Sequence, residues 1–480
     1  MKDNQMQFTT DIVIGLEVHA GLNTKTKLFC GCPNRKAEQP NTLICPVCLG
    51  HPGSKPVVNR KVIEYALRMG IATQSKLASE LIFSRKSYFY PDLAKNYQIT
   101  QYELPICSGG KLALKDGKEV GFIRIHLEED PASLVHQGSM QESPFVLVDY
   151  NRSGSPLLEI VTKPCMASPE EARDFMKQLI TTLGYLNIFD ANDGIIKADA
   201  NLSIRESGYT RVEIKNITGF KEIERALIYE VARQKQEIND GKNRVQETRG
   251  WDADKGITFS MRTKETEADY GYIIDPDLVP ITITKEMIEE VRMRMPELAP
   301  QKIQRYAGLG VDRTDAEIVA SELELAELFE RALEEGIKPV FAARWIRREL
   351  LRVLNYNKKS ITDAKVDERQ LFTLFRLVSG KKITEKTGQR LIEKLMDASF
   401  DMQEYVEKEG LLAVSDSDQL EQWCREAIAE STKAVEDYKN GSEKSLNFIV
   451  GHVMQKSRGT AAPEEVKGML RNLLRNTSAL

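Results

Sequence analysis

The segment Lys197-Ala-Asp-Ala-Asn-Leu-Ser-Ile-Arg205 alternates polar and apolar residues, and after a turn at 206–210 the chain returns as Arg211-Val-Glu-Ile-Lys215. Alternation with a period of two is typical of a β-strand that has one polar face. Two such strands joined by a short turn predict an antiparallel hairpin. Its predicted polar face carries Lys197, Asp199, Asn201, Glu213 and Lys215.

Two earlier segments alternate in the same way. In Ile12–Ala20 the pattern places Glu17 and His19 on one face of a strand. The segment 122–128 predicts another strand that runs into Glu129-Asp130. One predicted face of that strand carries Phe122, Arg124, His126 and Glu128, and the other carries Ile123, Ile125 and Leu127.

These polar faces allow two interpretations. The solvated faces of half-buried antiparallel strands alternate in this manner, so each strand alone is explained as surface. Several strands that each carry Asp, Glu or His, residue types depleted from strands, favour a shared site instead. An oxygen-rich pocket of this kind would suit Mg²⁺ and a nucleotide, with lysines meeting phosphates. Its candidate members are Glu17, His19, Glu128, Asp199 and Glu213, helped by Asn201, with Lys197 and Lys215 for phosphate.

Four of the seven cysteines lie close together, as Cys30-x-Cys32 and Cys45-Pro-Val-Cys48. Two short pairs about a dozen residues apart present four thiolates on tight turns, which is typical of a tetrahedral Zn²⁺ site. Free thiols or two disulfides would fit the same spacing. Because four thiolates leave no open coordination position, we predict a structural zinc knuckle at 30–48.

Length and charge bound the class of protein. A chain of 480 residues exceeds what one core usually holds, so several domains are expected. The formal net charge of −4 excludes a protein coated in positive charge, so any contact with nucleic acid must be local. Segment 1–10 is polar, and no run approaches the apolar length of a membrane span. We expect a cytoplasmic protein without membrane contact.

The pattern of apolar and polar residues changes near residue 294. Strand patterns dominate before it, whereas Glu322–Glu335 and Ala342–Leu354 show the apolar spacing of helices. Asn440-Gly441 and other turn signals interrupt the later helices. The predicted class is α+β: a mixed or antiparallel sheet forms a cradle domain at 1–293. An all-α domain at 294–408 and a small helical tail domain at 409–480 follow.

Several common site motifs are absent from the sequence. There is no G-x-x-x-x-G-K-[ST] loop and no G-x-G-x-x-G after a strand, so an ATP site would be of neither type. There is also no G-x-S-x-G elbow, and no cysteine context resembles that of a glutaminase nucleophile. Chemistry that releases ammonia from an amide would therefore need a partner protein.

The segment Val148-Asp-Tyr-Asn-Arg-Ser-Gly-Ser-Pro-Leu-Leu-Glu-Ile-Val161 closely resembles the signature of the B-subunit family of tRNA-dependent aspartyl/glutamyl amidotransferases. Within it, Gly154 and Pro156 also predict a tight turn between strands, and both interpretations can hold. Tyr88, Phe89, Tyr90 and Tyr97 are better explained as core aromatics than as a platform for bases. Further resemblance covers Ile14–His19, Tyr88–Gln101, His126–Asp130, Asp199–Asn201, Glu213–Asn216 and Asn447–Met454.

The resemblance implies a transfer in two steps. With ATP and Mg²⁺, the family phosphorylates the side-chain carboxylate of Glu mischarged on tRNA(Gln), or of Asp mischarged on tRNA(Asn). Ammonia then displaces phosphate, because the acyl phosphate supplies the leaving group that a carboxylate lacks. In such complexes the A subunit, an amidase, delivers ammonia through a channel, and the small C subunit holds the other two together.

By the same resemblance, Glu17, His19 and Glu128 are expected to hold the catalytic magnesium, with Glu213 and Asp199 as further members of the catalytic site. Substrate or phosphate is expected to meet Asn151, Arg152, Lys197, Asn201 and Lys215. Two positions depart from the family pattern. Gly271 replaces a common arginine in Asp269–Leu278, and Lys197 stands where many members carry arginine.

The tail from Gly441 to Leu480 carries six basic and three acidic residues, which leaves tRNA binding and a purely structural or dimerising bundle both open. The resemblance of Leu446–Met454 and Ser457-Arg458-Gly459 to the family implies tRNA binding. The basic residues are Lys444, Lys456, Arg458, Lys467, Arg471 and Arg475.

Two other functions are alternatives to that of an amidotransferase B subunit. The archaeal E-type paralogue of the family carries an inserted domain for which this length leaves no room. A non-catalytic zinc-containing tRNA-binding module would place acidic residues against RNA phosphates, which repel them. Whether Asp-tRNA, Glu-tRNA or both are used stays open.

Overall fold

A computed structural model describes residues 11–136, 145–190, 194, 196–242, 245–263, 270–413, 417–457 and 459–476. The polar segment 1–10, Asp269 and Arg458, on which sequence predictions depend, lie outside these described residues. The chain divides into two compact units, Met1–Leu298 and Ala299–Leu480. The boundary predicted near residue 408 stays a prediction.

The first unit carries all the strands that the structure describes, together with four helices, α1 (Arg60–Ala72), α2 (Pro169–Tyr185), α3 (Phe220–Asn239) and α4 (Lys285–Met293). The strands are β1 (Ile12–Gly21), β2 (Lys76–Leu77), β3 (Glu80–Leu81), β4 (Ser84–Ser87), β5 (Tyr97–Thr100), β6 (Cys107–Ser108), β7 (Lys111–Ala113), β8 (Glu119–Glu129), β9 (Ser133–His136), β10 (Val146–Asp149), β11 (Pro156–Thr162), β12 (Ile196–Ile204), β13 (Val212–Thr218), β14 (Glu247–Asp252), β15 (Ile257–Thr263), β16 (Gly271–Ile274) and β17 (Ile281–Thr282).

A ten-stranded sheet, in the order β15-β14-β13-β12-β1-β11-β8-β6-β2 with β7 added beside β8, organises this unit. Its neighbours pair antiparallel except β13 and β14, which are parallel and joined through α3. The hairpin predicted at 197–215 is confirmed as β12 and β13, linked by a 3₁₀ turn at Arg205–Ser207. The predicted α+β class with an N-terminal sheet is also confirmed.

One face of the sheet is apolar and forms the core. Leu16 and Val18 of β1, Ile160 of β11 and Leu202 of β12 are all buried in one cluster, which also takes in apolar residues of α1, α2 and α3. The helices begin where the sequence provides caps. The Ser168 side chain, for example, accepts a hydrogen bond from the Glu171 amide and starts α2. The opposite face of the sheet is therefore left to the polar side chains.

The predicted faces of β8 are wrong at one point. Phe122 is fully buried and packs edge-on against Phe175 of α2, whereas Ile123 is 47 % exposed. The register explains the difference, because Val161 pairs with Arg124 while Thr162 pairs with Phe122, which leaves Ile123 as an extra residue. This β-bulge reverses the alternation, so the polar face begins only at Arg124.

All the secondary-structure elements described in the second unit are helices. Its helices are α5 (Ala299–Gly308), α6 (Arg313–Val319), α7 (Leu323–Glu334), α8 (Pro339–Trp345), α9 (Leu351–Tyr356), α10 (Ile361–Ala364), α11 (Glu368–Ser379), α12 (Glu385–Asp397), α13 (Met402–Lys408), α14 (Ser417–Glu430), α15 (Thr432–Lys439), α16 (Glu443–Lys456) and α17 (Pro463–Asn476). A π-helical turn at Ile346–Leu350 joins α8 to α9. The helices predicted around 322–335 and 342–354 are confirmed.

The last helices of this unit share one buried cluster, formed by apolar residues between Leu420 and Leu474. Gly441, at φ +96°, separates α15 from α16, as its position after Asn440 predicts. Within the described part of the chain, none of the helices has both the length and the apolar character that crossing a membrane requires.

Candidate functional site

Cross-strand register brings the predicted polar residues together on the open face of the sheet. His19 of β1 pairs with Lys197 on one side and with Glu159 of β11 on the other, and Glu159 pairs in turn with His126. A second row places Glu17 of β1 beside Asp199 of β12. Directly paired residues project from the same face of a sheet, so these rows form one polar surface.

This surface lines a cavity of about 360 Å³. Glu17, His19, Glu128, Lys197, Asp199 and Lys215 all contribute to its wall, as predicted from their strands. Arg124, His126, Asp130, Glu159 and the aromatic residues Tyr88, Tyr102 and Tyr272 line it as well. These polar faces therefore line one cavity. That the cavity is a shared functional site stays a prediction.

Three side chains converge tightly enough to bind one cation. The Nε2 atom of His19 lies 3.7 Å from Oε1 of Glu128 and 3.8 Å from Oε2 of Glu159. One ligand atom from each of the three lies within 4.8 Å of the others. Glu128 and Glu159 are buried, and His19 is partly exposed to the cavity. Two carboxylates and an imidazole leave positions open for water or substrate oxygens.

The electrostatics of the two carboxylates differ. Burial, reinforced by the Glu159 charge, raises the pKa of Glu128 well above its usual range. Burial opposes ionisation of Glu159 too, but the His126 ring, whose Nε2 lies 2.9 Å from Oε2, together with His19 and Arg124 outweighs burial and lowers the pKa of Glu159. A cation bound between them would favour the ionised form of Glu128.

Glu17 belongs to a neighbouring network, and among the described residues it is not part of the three-ligand group. Its Oε1 accepts a hydrogen bond of 2.9 Å from the Asn201 amide. Lys215 lies 2.7 Å from Asp199 and 3.1 Å from Glu213, and these carboxylates outweigh burial to raise the pKa of Lys215. Burial, followed by repulsion from Glu159 and Glu213, raises the pKa of Glu17.

Asn151 and Arg152 lie outside this cavity's lining. The Asn151 Oδ1 accepts hydrogen bonds from the amides of Thr42, at 2.8 Å, and Leu43, at 2.7 Å. Arg152 donates to the carbonyls of 131 and 132 and lies 3.3 Å from Asp130. Both residues line an adjoining cavity of about 520 Å³, and the two cavities share Asp130 and Leu157.

The aromatic residues near the cavity correct another expectation. Phe89 is 87 % exposed and Tyr90 is 55 % exposed, so neither belongs to the core. Tyr88 instead borders the cavity, where Lys86 Nζ lies 4.6 Å from the centre of the Tyr270 ring. A run of consecutive aromatic residues in a loop does not reveal which rings turn inward, because no strand or helix period applies there.

Gly271, where the resemblance led us to expect arginine, lies on the edge strand β16 opposite Ser87. A Cβ atom added there would meet only the Ser87 Cβ, at 3.9 Å. The position therefore has room for a side chain, but this protein places no guanidinium group there.

The four predicted knuckle cysteines form a second cluster. The sulfurs of Cys30, Cys32 and Cys45 lie 3.4, 3.6 and 3.6 Å from that of Cys48, and none is in a disulfide. Zn–S bonds of about 2.3 Å place tetrahedral sulfurs about 3.8 Å apart, so the donor set fits zinc. A hydrogen bond from Cys30 and the charge of Lys27 outweigh burial and lower the pKa of Cys48 to about 4.

Glu159 is the site residue that sequence reasoning missed. It stands alone in the otherwise uncharged strand Pro156–Thr162, every residue of which is buried. A carboxylate is almost never buried without a partner. The lone Glu159 in an apolar run is therefore a signal in the sequence, although the strand lacks the alternation that marks a polar face.

Comparison with known proteins covers nearly the whole chain. A family described as "GatB/GatE catalytic domain" matches residues 12–289, and one described as "GatB domain" matches 327–474. A relative from Carboxydothermus hydrogenoformans is 42 % identical over 97 % of this chain and 98 % of its own length. One from Geotalea daltonii is 43 % identical over 95 % and 98 %. Both are named as the B subunit of aspartyl/glutamyl-tRNA(Asn/Gln) amidotransferase.

Proposed function

Because this chain belongs to the B-subunit family of aspartyl/glutamyl-tRNA(Asn/Gln) amidotransferases, we propose that it is the component that converts mischarged aminoacyl-tRNA. It is a carbon–nitrogen ligase that uses ATP to phosphorylate the side-chain carboxylate of Asp-tRNA(Asn) or Glu-tRNA(Gln). Ammonia derived from glutamine then completes the amide. The relatives carry the B-subunit name over nearly their full length, which favours this function over that of the archaeal E-type paralogue.

The observation that carries the proposal is the group of His19 with the buried Glu128 and Glu159, inside a cavity that is also lined by lysine and arginine side chains. Because the pKa of Glu128 is raised, its ionised form needs a positive charge nearby. Mg²⁺ bound by these three residues would supply that charge and would neutralise negative charge during phosphoryl transfer. We assign Glu159 to this set, beside the predicted His19 and Glu128. Glu17 lies next to it and holds Asn201 instead.

The remaining wall suits an anionic substrate. Arg124 and Lys197 line the same cavity as the carboxylates and can face phosphate oxygens. Lys215 is held by Asp199 and Glu213, so it contributes a fixed positive charge rather than a mobile one. We therefore propose that acidic and basic residues alternate around the cavity to position ATP, metal and a carboxylate together.

A zinc-containing tRNA-binding module without catalysis is less well supported, because solvated surface would not bury Glu128 and Glu159 in contact distance of an imidazole. The knuckle fits both functions. We propose that Cys30, Cys32, Cys45 and Cys48 hold a structural Zn²⁺ that shapes the chain beside β1. We also propose that the partners are the amidase (A) subunit, the small (C) subunit of the heterotrimer and mischarged tRNA, in the cytoplasm.

Reconstitution of the heterotrimer tests the proposal. ATP should be consumed only when mischarged tRNA is present, and Asn-tRNA or Gln-tRNA should accumulate in step with ADP. Supplying Asp-tRNA(Asn) and Glu-tRNA(Gln) separately decides which is used. Binding of mischarged tRNA with no ATP consumption would instead identify a non-catalytic module.

The tail from about 409 to 480 is proposed to hold tRNA. Its apolar residues share one buried cluster. Lys456, one of the six basic residues after Gly441, lies 3.0 Å from Glu426, so its charge is paired within the tail. A complex truncated after Gly410 should bind tRNA more weakly and with a shallower dependence on salt. Unchanged affinity and slope would mean that tRNA is held elsewhere.

A further inference from the structure

Lys27 is a lysine whose surroundings differ from those of ordinary lysines. It lies between β1 and the first cysteine pair, and its side chain is fully buried. Its Nζ donates to the Leu43 carbonyl at 2.9 Å, the Tyr150 carbonyl at 3.4 Å and the Cys48 sulfur at 3.5 Å. Within the described residues, the ammonium has no carboxylate partner.

A buried ammonium is costly unless a negative charge lies near it. Carbonyl oxygens provide only partial charges, so the cysteine cluster is the anionic group that Lys27 contacts. Four thiolates exceed the charge of one Zn²⁺ ion, so a zinc–thiolate cluster would keep a net negative charge. The lysine and the cluster would then neutralise each other inside the protein.

We propose that Lys27 is the internal counter-cation of the zinc–thiolate cluster, and that through the Tyr150 carbonyl it couples metal binding to the turn at 150–155. This inference rests on the proposed zinc site. It adds a residue that is not a ligand but that determines how firmly the ligands hold zinc.

The turn at 150–155 lies between the cluster and the acidic cavity. On one side, the Ser153 hydroxyl donates to the Cys48 carbonyl at 3.1 Å. On the other, the Gly154 amide donates to the Asp130 carbonyl at 2.9 Å, and Asp130 lines the cavity. Gly154 has φ +83°, and a Cβ atom there would lie 3.7 Å from the Lys27 stem. Lys27 is therefore a positioning residue for this turn.

Substitution of Lys27 tests the charge. Lys27→Met keeps most of the apolar stem, and Lys27→Gln keeps hydrogen-bond donors but removes the charge. We expect both to weaken zinc binding by about 10- to 100-fold in competition with a chelator, the range seen when outer partners of metal ligands are lost. Lys25→Met, at an exposed lysine two positions earlier, is the matched control and should bind zinc as the unchanged protein does.

A role in packing alone would not alter the electronic environment of the sulfurs. In the cobalt-substituted protein, the sulfur-to-cobalt charge-transfer band should therefore shift in Lys27→Gln and stay in place in Lys25→Met. Lys27→Arg, which retains the charge, should recover part of the zinc affinity. Zinc affinity and cobalt spectra unchanged in both Lys27→Met and Lys27→Gln would overturn the inference.

Hydrogen exchange of the unsubstituted protein tests the coupling without any variant. Removal of zinc should speed amide exchange at 150–155 by about 10-fold or more, and should leave β14 in the same unit unchanged. Equal protection of the turn with and without zinc would exclude the coupling. Absence of zinc from the purified protein would instead overturn the proposed zinc site, so the two failures are distinguishable.

Discussion

The acidic cavity and the cysteine knuckle gather metal-ligand atoms in opposite ways. In the cavity, His19, Glu128 and Glu159 come from three strands, and sheet register alone brings them within reach of one another. In the knuckle, four thiols come from two turns that are close in sequence. The first arrangement leaves coordination positions open for substrate, and the second closes them.

The two sites therefore depend on different structural elements. A one-residue slip of β11 would turn Glu159 into the core and remove it from the cavity, because side chains alternate along a strand. The knuckle has no such dependence on register, but it relies on turns that hold its sulfurs near Cys48. We expect substitutions in the cavity to affect chemistry, and substitutions in the knuckle to affect folding.

The largest expected effect is on catalysis. Glu128→Gln removes one charge from the cation-binding group while keeping the shape of the side chain, so transamidation should fall by about 1,000-fold or more in the reconstituted complex. Binding of tRNA should persist. Glu119→Gln, at the exposed end of the same strand, is the control and should be fully active. Unimpaired activity of Glu128→Gln at limiting Mg²⁺ would make Glu128 a residue of structure only.

Substitution of a knuckle cysteine should affect stability more than catalysis. Cys45→Ser should lower the zinc content from about one ion per chain to none, and should destabilise the first unit by about 3–4 kcal/mol. At low temperature, where the variant stays folded, the rate of transamidation should fall less than the free energy of unfolding does. Elemental analysis and denaturant unfolding provide the measurements, with Cys165→Ser, outside the cluster, as the control. Full zinc occupancy in Cys45→Ser would contradict the assignment of the ligands.

The knuckle could be predicted from the sequence more completely than the cavity, for a physical reason. Local spacing determines which thiols can meet, so Cys30, Cys32, Cys45 and Cys48 were identified as a set. The strand pattern also placed Glu17 and His19 on one face, and it identified the hairpin of β12 and β13. Alternation indicates a face but not which strands become neighbours.

Three features depended on information that alternation does not contain. Glu159 lies in a strand buried on both faces, where polar and apolar positions do not alternate. The bulge at Ile123 reverses the faces of β8, and nothing in the local pattern marks it. Asn151 was expected to meet substrate, but its side chain is occupied by the loop before Cys45. Its role in binding substrate or phosphate stays a prediction.

Two neighbouring substitutions in β8 test whether the bulge at Ile123 is present. Phe122→Ala should destabilise the protein by about 3 kcal/mol, because it empties a fully buried site against Phe175. Ile123→Ala should cost less than about 0.5 kcal/mol, since Ile123 is half-exposed. Denaturant unfolding of both variants measures the difference. The reverse order would mean that β8 runs without the bulge, with Ile123 in the core and Phe122 on the polar face beside Arg124.

A loss of stability smaller than that in Phe122→Ala is expected on substitution of Asn151, which lies between the acidic cavity and the cysteine knuckle. Its substitution tests which of the two sites it supports. Its Oδ1 accepts from two amides of the loop 39–43, and its Nδ2 donates to the Gln39 carbonyl at 2.8 Å. Asn151→Ala would leave those groups without partners at a cost of about 2 kcal/mol. Because Lys27 donates to the carbonyl of Leu43 in the same loop, zinc should also be lost faster to a chelator.

Gln39→Ala is the matched control, since Gln39 contributes only its carbonyl to this contact and should behave as the unchanged protein does. If Asn151 belongs to the knuckle, zinc retention falls in Asn151→Ala while the KM values for ATP and mischarged tRNA stay constant. If it belongs to the substrate site, those KM values rise and zinc retention is unaffected. The geometry favours the first outcome, because every polar atom of the side chain already has a partner in the loop.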